Sequence, residues 1–252
     1  MIEAEKHIKR FGLVGKRLDY SFSKTYFEQE YNILYTQPAR YDNYELPTAD
    51  LIVPLTKEQR IDGLNVTIPF KESVMPFLDS VSNEARAIGA VNTLKIKHLP
   101  GKLYVKGYNT DALGFETCVK HCLPNHNNAL VLGTGGAAKA VAYVLQKHGI
   151  AVTFASRTKK AGNIIGYHSL NPDNIAAHTI IVNATPCGTV GFGADVQIPY
   201  NGITARHLCL DLVYNPAETL FIKECKKQGA ITMNGLEMLY RQAEKSWEIW
   251  NS

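Results

Sequence analysis

The sequence predicts an α/β fold in two units, an open N-terminal α/β unit followed by a doubly wound unit with a parallel sheet. Three observations lead there. Short β-rich apolar runs alternate with helix-length segments along most of the chain. A glycine turn, Gly133-Thr134-Gly135-Gly136, separates one such run from a helical segment. The chain has 252 residues, enough for one large domain or two modest ones.

The elements follow in order. Residues 11–15 are apolar and end in glycine, the pattern of a buried strand. Residues 21–35 form a helix opened by Ser21. Residues 41–46 are a second strand, and 48–60 a helix that Pro54 disturbs because proline has no amide hydrogen. Residues 64–68 are β-rich and stop at Pro69, after which 71–80 and 82–88 read as short helices. Strands 91–97 and 102–108 flank Leu99-Pro100-Gly101-Lys102, a hairpin turn.

Helix 111–122 and a polar loop, 124–128, open the second unit. Its strands are 129–132, 150–155, 179–183 and 208–213, and its helix 135–148 is closed by Gly149. In a last helix, 236–250, Leu236, Leu239, Tyr240, Ala243, Trp247 and Trp250 share one face, with Gln242 on the flank. That helix is expected to return to the first unit. The division is then 1–108 plus 236–252, discontinuous, and 109–235, with a cleft between them.

Composition excludes several classes. Hydrophobic residues make up 45% and charged residues 20%, an ordinary balance for a globular chain. The net charge of +4 comes without a long Lys/Arg block, which argues against nucleic acid as a partner. It suits an anionic small molecule. The cysteines, Cys118, Cys122, Cys187, Cys209 and Cys225, form no Cys-x-x-Cys pair, and the histidines are dispersed, so no metal site is expected. The charged start is not a signal peptide, and no apolar run approaches the roughly 20 residues that span a bilayer. A cytoplasmic location with reduced cysteines is expected. Monomer and homodimer are both compatible with the sequence.

The glycine turn carries the first chemistry. Gly133, Gly135 and Ala138 match the Gly-x-Gly-x-x-Gly/Ala spacing of a Rossmann-type dinucleotide site. Gly133 permits the tight turn, Gly135 lets a pyrophosphate approach the backbone, and Ala138 is small enough for close helix packing. Amides of Gly136 and Ala137 at the helix start would hold the anion. NAD sites place an acidic residue about 20 residues on. Here the second strand runs into Ser156-Arg157-Thr158-Lys159-Lys160, with no carboxylate. Guanidinium, hydroxyl and ammonium groups suit a 2′-phosphate, so NADP is favoured over NAD.

Four further segments concentrate polar groups at strand ends or loops, where α/β sheets bind ligands. They are Ser21-Phe22-Ser23, Asn65-Val66-Thr67-Ile68-Pro69-Phe70-Lys71, Gly89-Ala90-Val91-Asn92-Thr93, and Gly107-Tyr108-Asn109-Thr110-Asp111. Together they supply an amine, a carboxylate, amides and hydroxyls, a set suited to a small polyhydroxylated acid.

In order, these segments resemble the shikimate dehydrogenase family, from about residue 11 to 243. Ser21 and Ser23 are similar to its carboxylate-binding Ser-x-Ser, and 65–71 to the Asn-Val-Thr-x-Pro-x-Lys stretch that carries the catalytic lysine. Asn183-Ala184-Thr185-Pro186-Cys187-Gly188 resembles its nicotinamide-side loop, and 211–216 its Asp-x-Val-Tyr-x-Pro segment. Gly235 through Gln242 resembles the returning helix whose Gln touches substrate. The sequence departs from the pattern at Arg17-Leu18, Tyr20, Lys24, Ser156, Ala161 and Thr189, where the family usually has Pro-Ile, His, Pro, Asn, Arg and Met.

The resemblance implies NADPH-dependent reduction of 3-dehydroshikimate to shikimate, on the route to chorismate and aromatic amino acids. The first domain would bind substrate and the second NADP. Lys71 would protonate the developing alkoxide, and Asp111 would orient Lys71 and a neighbouring hydroxyl. Ser21 and Ser23 would hold the carboxylate. Asn65, Thr67, Asn92 and Gln242 would hold ring hydroxyls, and Tyr214 would contact the carboxylate or wall the site. Gly235, Asn183 and Thr185 would back the nicotinamide. The alternatives are a quinate/shikimate dehydrogenase that also uses NAD, and a non-catalytic NADP-binding regulator. The missing carboxylate near Ser156 argues against the first, and retention of both Lys71 and Asp111 against the second.

Overall fold

The computed structural model describes residues 8–19, 21–34, 39–158, 162–192 and 194–252. Tyr20, Tyr35, Lys159, Lys160 and Ala161, used in the reading above, lie outside those residues. The chain divides into one unit of residues 1–110 with 243–252, and a second of 111–242.

The first unit is a six-stranded mixed sheet. Its strands are β1 (Lys9–Gly15), β2 (Ala39–Glu45), β3 (Gly63–Val66), β4 (Ser80–Val81), β5 (Thr93–Leu99) and β6 (Lys102–Tyr108). The order is β2-β1-β3-β5-β6-β4. β1 runs parallel to both its neighbours, whereas β5 is antiparallel to β3 and β6. The β5–β6 hairpin turns at Pro100 and Gly101, where a φ of +70° suits a residue without a side chain.

The helices of this unit are α1 (Ser23–Leu34), α2 (Ile52–Glu58), α3 (Phe70–Ser73) and α4 (Asn83–Ile88). Two prolines shorten what the sequence suggested. The expected helix 48–60 is a 3₁₀ turn, Ala49–Leu51, then α2, which places Pro54 in a first turn that needs no donor there. The expected helix 71–80 is a single turn, α3, followed by a 3₁₀ turn at Met75–Phe77 with Pro76 inside it. Ser80 is not helical; it starts β4 beside Lys106. α4 forms as expected, with Ser82 accepting from the Ala85 amide and Gly89 closing it at φ +74°.

The second unit begins with α5 (Asp111–Val119), shorter than expected because the chain tightens into a 3₁₀ turn at Pro124. Then come β7 (Asn128–Leu132), α6 (Gly136–Lys147), β8 (Ala151–Ser156), β9 (Ile164–Gly166), α7 (Pro172–Ala176), β10 (Ile180–Asn183), β11 (Leu208–Asp211), α8 (Leu220–Lys227), β12 (Ile231–Met233) and α9 (Leu236–Asn251). The sheet is parallel throughout, in the order β9-β8-β7-β10-β11-β12. Counted within the unit, that is third, second, first, fourth, fifth, sixth, the Rossmann arrangement. The order reverses between β7 and β10, so ligands belong at the ends of those two strands. β9, β12, α7 and α8 were not anticipated, being short or polar.

Both cores are continuous with these layers. Phe11, Leu13, Phe27, Tyr41 and Trp250 cluster on one side of the first sheet, with Trp247 packed against them. Phe11 stacks on Trp250 at 4.6 Å, and Phe27 on Tyr41 at 4.5 Å. Trp250 also donates to the Leu94 carbonyl at 2.9 Å. It fills the space left by the missing side chain of Gly63, where a Cβ would meet its ring at 2.4 Å. The aromatic end of α9 is therefore a packing element, as its helical spacing suggested. Leu130, Leu132, Ile181, Cys209, Phe221 and Ile222 anchor the second core.

Candidate active site

In the first unit, buried polar side chains meet at the end of β3. Asn65 stands opposite Thr93 of β5 in the ladder. Its Oδ1 accepts from the Tyr41 hydroxyl at 2.9 Å, and its Nδ2 donates to Ser246 Oγ at 2.9 Å and Thr93 Oγ1 at 3.3 Å. Asn65 thus has both amide hydrogens engaged, and Oδ1 keeps the spare acceptor capacity. Asn92 Oδ1 accepts from the Thr110 amide at 2.7 Å, while its Nδ2 donates to Thr110 Oγ1 at 2.9 Å. Ser246, fully buried, lies 2.8 Å from Thr93 Oγ1. Burying these groups is tolerable only because they satisfy each other.

Main-chain bonds hold the flanking residues to this centre. The Val66 amide donates to the Asn92 carbonyl and the Val91 amide to the Lys71 carbonyl, both at 2.7 Å. Lys71 is half-buried in α3, just after the cis Ile68–Pro69 peptide. Thr67 is half-buried, its amide bonded to the Val14 carbonyl at 2.9 Å. Ser21 and Ser23 are half-buried at the start of α1, where Ser21 Oγ accepts from the Ser23 amide at 3.3 Å. Lys24 pairs instead with Asp42 at 3.5 Å and Glu28 at 3.7 Å.

In the second unit, the switch point carries the glycine turn. Gly133 has φ +103°, and a Cβ there would meet Thr185 Cγ2 at 3.1 Å. Gly135 is the N-cap of α6 with no side chain capping the first turn, and a Cβ on it would enter open space. The amides of Gly136 and Ala137 follow, and Ala138 is fully buried against the sheet. Open space above an uncapped helix start is what an approaching phosphate requires. The donor set therefore fits a dinucleotide. At the end of β8, Ser156 Oγ accepts from the Thr158 amide at 3.3 Å, and Arg157 and Thr158 are exposed.

Beside the glycine turn, Asn183 organises a loop. Its Oδ1 accepts from the Thr185 amide at 3.1 Å and the Thr185 hydroxyl at 2.6 Å. Its Nδ2 donates to the Cys187 carbonyl at 3.1 Å and to Asp211 Oδ1 at 2.8 Å. The expected strand 208–213 ends at Asp211, whose carboxylate takes the Val213 amide at 3.0 Å and the Thr219 hydroxyl at 2.6 Å. Burial pushes the Asp211 carboxyl up to about 6, against the pull of those three donors.

Asp111 is buried as the first residue of α5. Gln242 is half-buried and donates to the Leu239 carbonyl at 2.9 Å, and Tyr214 is half-buried. Gly235 is buried so tightly that a Cβ would lie 2.1 Å from the Leu212 carbonyl oxygen. Its small size therefore serves chain packing directly. Among the described residues, no group of three or more His, Cys, Asp or Glu side chains is placed to hold a metal ion.

Comparison with known proteins identifies the family. Residues 13–94 match the family model described as the shikimate dehydrogenase substrate binding domain. The shikimate dehydrogenase (NADP(+)) of Carboxydothermus hydrogenoformans is 37% identical over 96% of this chain and 91% of its own length. The chain belongs to the shikimate dehydrogenase family. Solved shikimate dehydrogenases are similar to this chain over nearly its full length. The Aquifex aeolicus structure superposes with a TM-score of 0.85 at 32% identity, covering all of this chain and 94% of that one. The Thermus thermophilus structure, in complex with NADP(H) and shikimate, gives 0.81 at 31% identity over 96% and 93%. The stretch that matches the substrate-domain model holds Ser21, Ser23, Asn65, Thr67, Lys71 and Asn92.

Two residues escaped the sequence reading of the site. Ser246 lies three residues after Ala243 and four before Trp250, a polar side chain on an otherwise apolar stripe. That interruption was the available signal. Asp211 was visible only as part of a motif, although a carboxylate ending the buried run Leu208-Cys209-Leu210 was itself unusual.

Proposed function

We propose that this protein is an NADP-dependent shikimate dehydrogenase, reducing 3-dehydroshikimate to shikimate on the route to chorismate. The observation that carries the reading is the pairing of two features in one chain. One is a matched substrate-domain segment with its buried Asn65–Asn92 polar centre. The other is a Rossmann sheet whose glycine turn is open at Gly135. On this reading the first unit binds substrate and the second binds NADP.

Roles follow from chemistry. NADPH, when bound, supplies hydride to the ring ketone carbon. Lys71 holds the proton that the ketone oxygen needs, and its positive charge stabilises negative charge developing there. Asp111 orients the neighbouring hydroxyl. Ser21 and Ser23 offer hydroxyls to the substrate carboxylate, with Tyr214 as a further contact. Thr67, Asn92 and Gln242 take ring hydroxyls, and Asn65 takes one through its spare Oδ1 capacity. Gly136 and Ala137 offer backbone amides to the pyrophosphate. Ser156, Arg157 and Thr158 take the 2′-phosphate, for which an exposed guanidinium at a strand end is well suited. Thr185, Asn183 and Gly235 shape the nicotinamide side.

A cytoplasmic location is part of the proposal, supported by five free thiols. The test is direct. Purified protein with NADPH and 3-dehydroshikimate should lose reduced-nicotinamide absorbance as shikimate forms. No turnover with that pair, alongside turnover of quinate with NAD, would overturn the assignment.

A further inference from the structure

Of the buried charged groups, Asp211 has no part in the chemistry described so far, yet three donors converge on it. It is 1% exposed and carries no ion pair among the described residues. Such a group is costly, and the donors that meet both of its oxygens offset part of that cost. Oδ1 takes Asn183 Nδ2 at 2.8 Å and the Val213 amide at 3.0 Å, and Oδ2 takes the Thr219 hydroxyl at 2.6 Å. Thr219 is itself fixed as the N-cap of α8, accepting from the Ile222 amide at 3.3 Å.

The contact with Asn183 has a directional consequence. A carboxylate accepts only, so the face of the Asn183 amide turned to it must be the NH₂. That choice points Oδ1 the other way, where it takes both the amide and the hydroxyl of Thr185. Thr185 Oγ1 in turn accepts from the Cys187 amide at 3.3 Å, and the second Asn183 hydrogen takes the Cys187 carbonyl at 3.1 Å. The 183–188 loop is thus wound around one side chain whose orientation the Asp211 carboxylate fixes from outside the loop, in agreement with the Thr185 amide and the Cys187 carbonyl within it. Its Thr185 methyl then lies 3.1 Å from where a Cβ on Gly133 would be, so the loop also walls the glycine turn. Flipping the Asn183 amide would set oxygen against oxygen and release Thr185 and Cys187 together.

We infer that Asp211, braced by Thr219, is a positioning residue for the nucleotide: it fixes the Asn183 amide and through it the 183–188 loop beside Gly133. The inference rests on the reading that the second unit binds NADP. It acts through geometry, so an uncharged acceptor of the same shape should replace the carboxylate.

The test uses the full chain and NADPH. Nucleotide Kd is read by fluorescence titration, and KM is measured separately for NADPH and for 3-dehydroshikimate. Asp211→Asn keeps an oxygen for Asn183 and Val213, so it should stay within about threefold of wild type. Asp211→Ala should raise Kd and KM for NADPH by about tenfold or more, with KM for 3-dehydroshikimate within about twofold. Thr219→Ser should behave as wild type, and Thr219→Val should weaken NADPH by about threefold or more. Thr219→Val also serves if Asp211→Ala does not fold. NADPH affinity unchanged in the folded Ala or Val variant would overturn the inference, as would parallel rises in both KM values. Wild-type protein that binds no NADPH would overturn the functional reading itself, an outcome distinct from any variant's failure.

Discussion

Replacing Gly135 by alanine separates folding from nucleotide binding. Gly135 has φ −79° and ψ −176°, which any residue adopts, and a Cβ there would touch nothing within 4 Å. Two small effects on stability oppose each other. Alanine restricts the unfolded chain, a gain of about 0.4–1 kcal/mol, but is a poorer N-cap than glycine by a similar amount. Net stability should move by less than about 1 kcal/mol. Binding should respond differently, because the new methyl enters the space a phosphate needs to reach the Gly136 and Ala137 amides. Loss of one charge-assisted bond at about 1.5–3 kcal/mol predicts NADPH Kd raised by about tenfold to a hundredfold, and loss of two by up to about ten-thousandfold. Fluorescence titration gives Kd, and denaturant unfolding gives stability. Wild-type NADPH affinity in a folded Gly135→Ala protein would refute the placement of the pyrophosphate. Gross destabilisation would refute the claim that the space is open. Gly133→Ala is the contrasting control, since its φ of +103° and the 3.1 Å approach to Thr185 make strain unavoidable.

Three further expectations follow from the same structure. Arg157→Ala should raise KM for NADPH by about tenfold or more and leave KM for NADH within about twofold, since only the former carries the 2′-phosphate; equal effects would remove Arg157 from that role. Ser246→Ala leaves Asn65 Nδ2 without its 2.9 Å partner and should lower stability by about 1–3 kcal/mol while raising KM for 3-dehydroshikimate but not for NADPH; a neutral result in denaturant and kinetics would contradict it. Asp211 makes stability depend on pH, because burial raises its carboxyl from 3.8 to about 6. The folded chain then binds more protons than the unfolded chain between those values, so the contribution is full below about pH 4 and lost as pH rises through about 6. The difference amounts to about 3 kcal/mol at 1.36 kcal/mol per pH unit. Cys225 and Tyr200 are the titratable groups that feel this carboxylate, and both are raised, Cys225 by its contact with Cys209 and by burial, Tyr200 by burial. Unfolding curves of wild type and Asp211→Asn from pH 4 to 7 should diverge accordingly; parallel curves would contradict the assignment.

Much of this was legible in the sequence because periodicity and turn chemistry report local physics. The glycine turn, the β5–β6 hairpin at Gly101 and the aromatic face of α9 each carry a local signature that the structure reproduces. Pro54 and Pro76 were read as disturbances or passed over, yet each sets where a 3₁₀ turn meets a helix. The short strands β4, β9 and β12 could not be seen, since two or three residues give no period and their pairing comes from partners distant in sequence. The same holds for the site. Motifs exposed the residues proposed to meet ligands, but Ser246 and Asp211 bond to other side chains. Only the folded chain brings Ser246 to Asn65, 181 positions away.

Lys71 is the proposed proton donor, and kcat for 3-dehydroshikimate reduction in Lys71→Ala, with NADPH binding measured alongside, tests that role. Loss of the proton donor predicts a fall of about a hundredfold or more with NADPH Kd unchanged. A fall of less than about tenfold, under ~1.4 kcal/mol, would contradict its role in the chemical step.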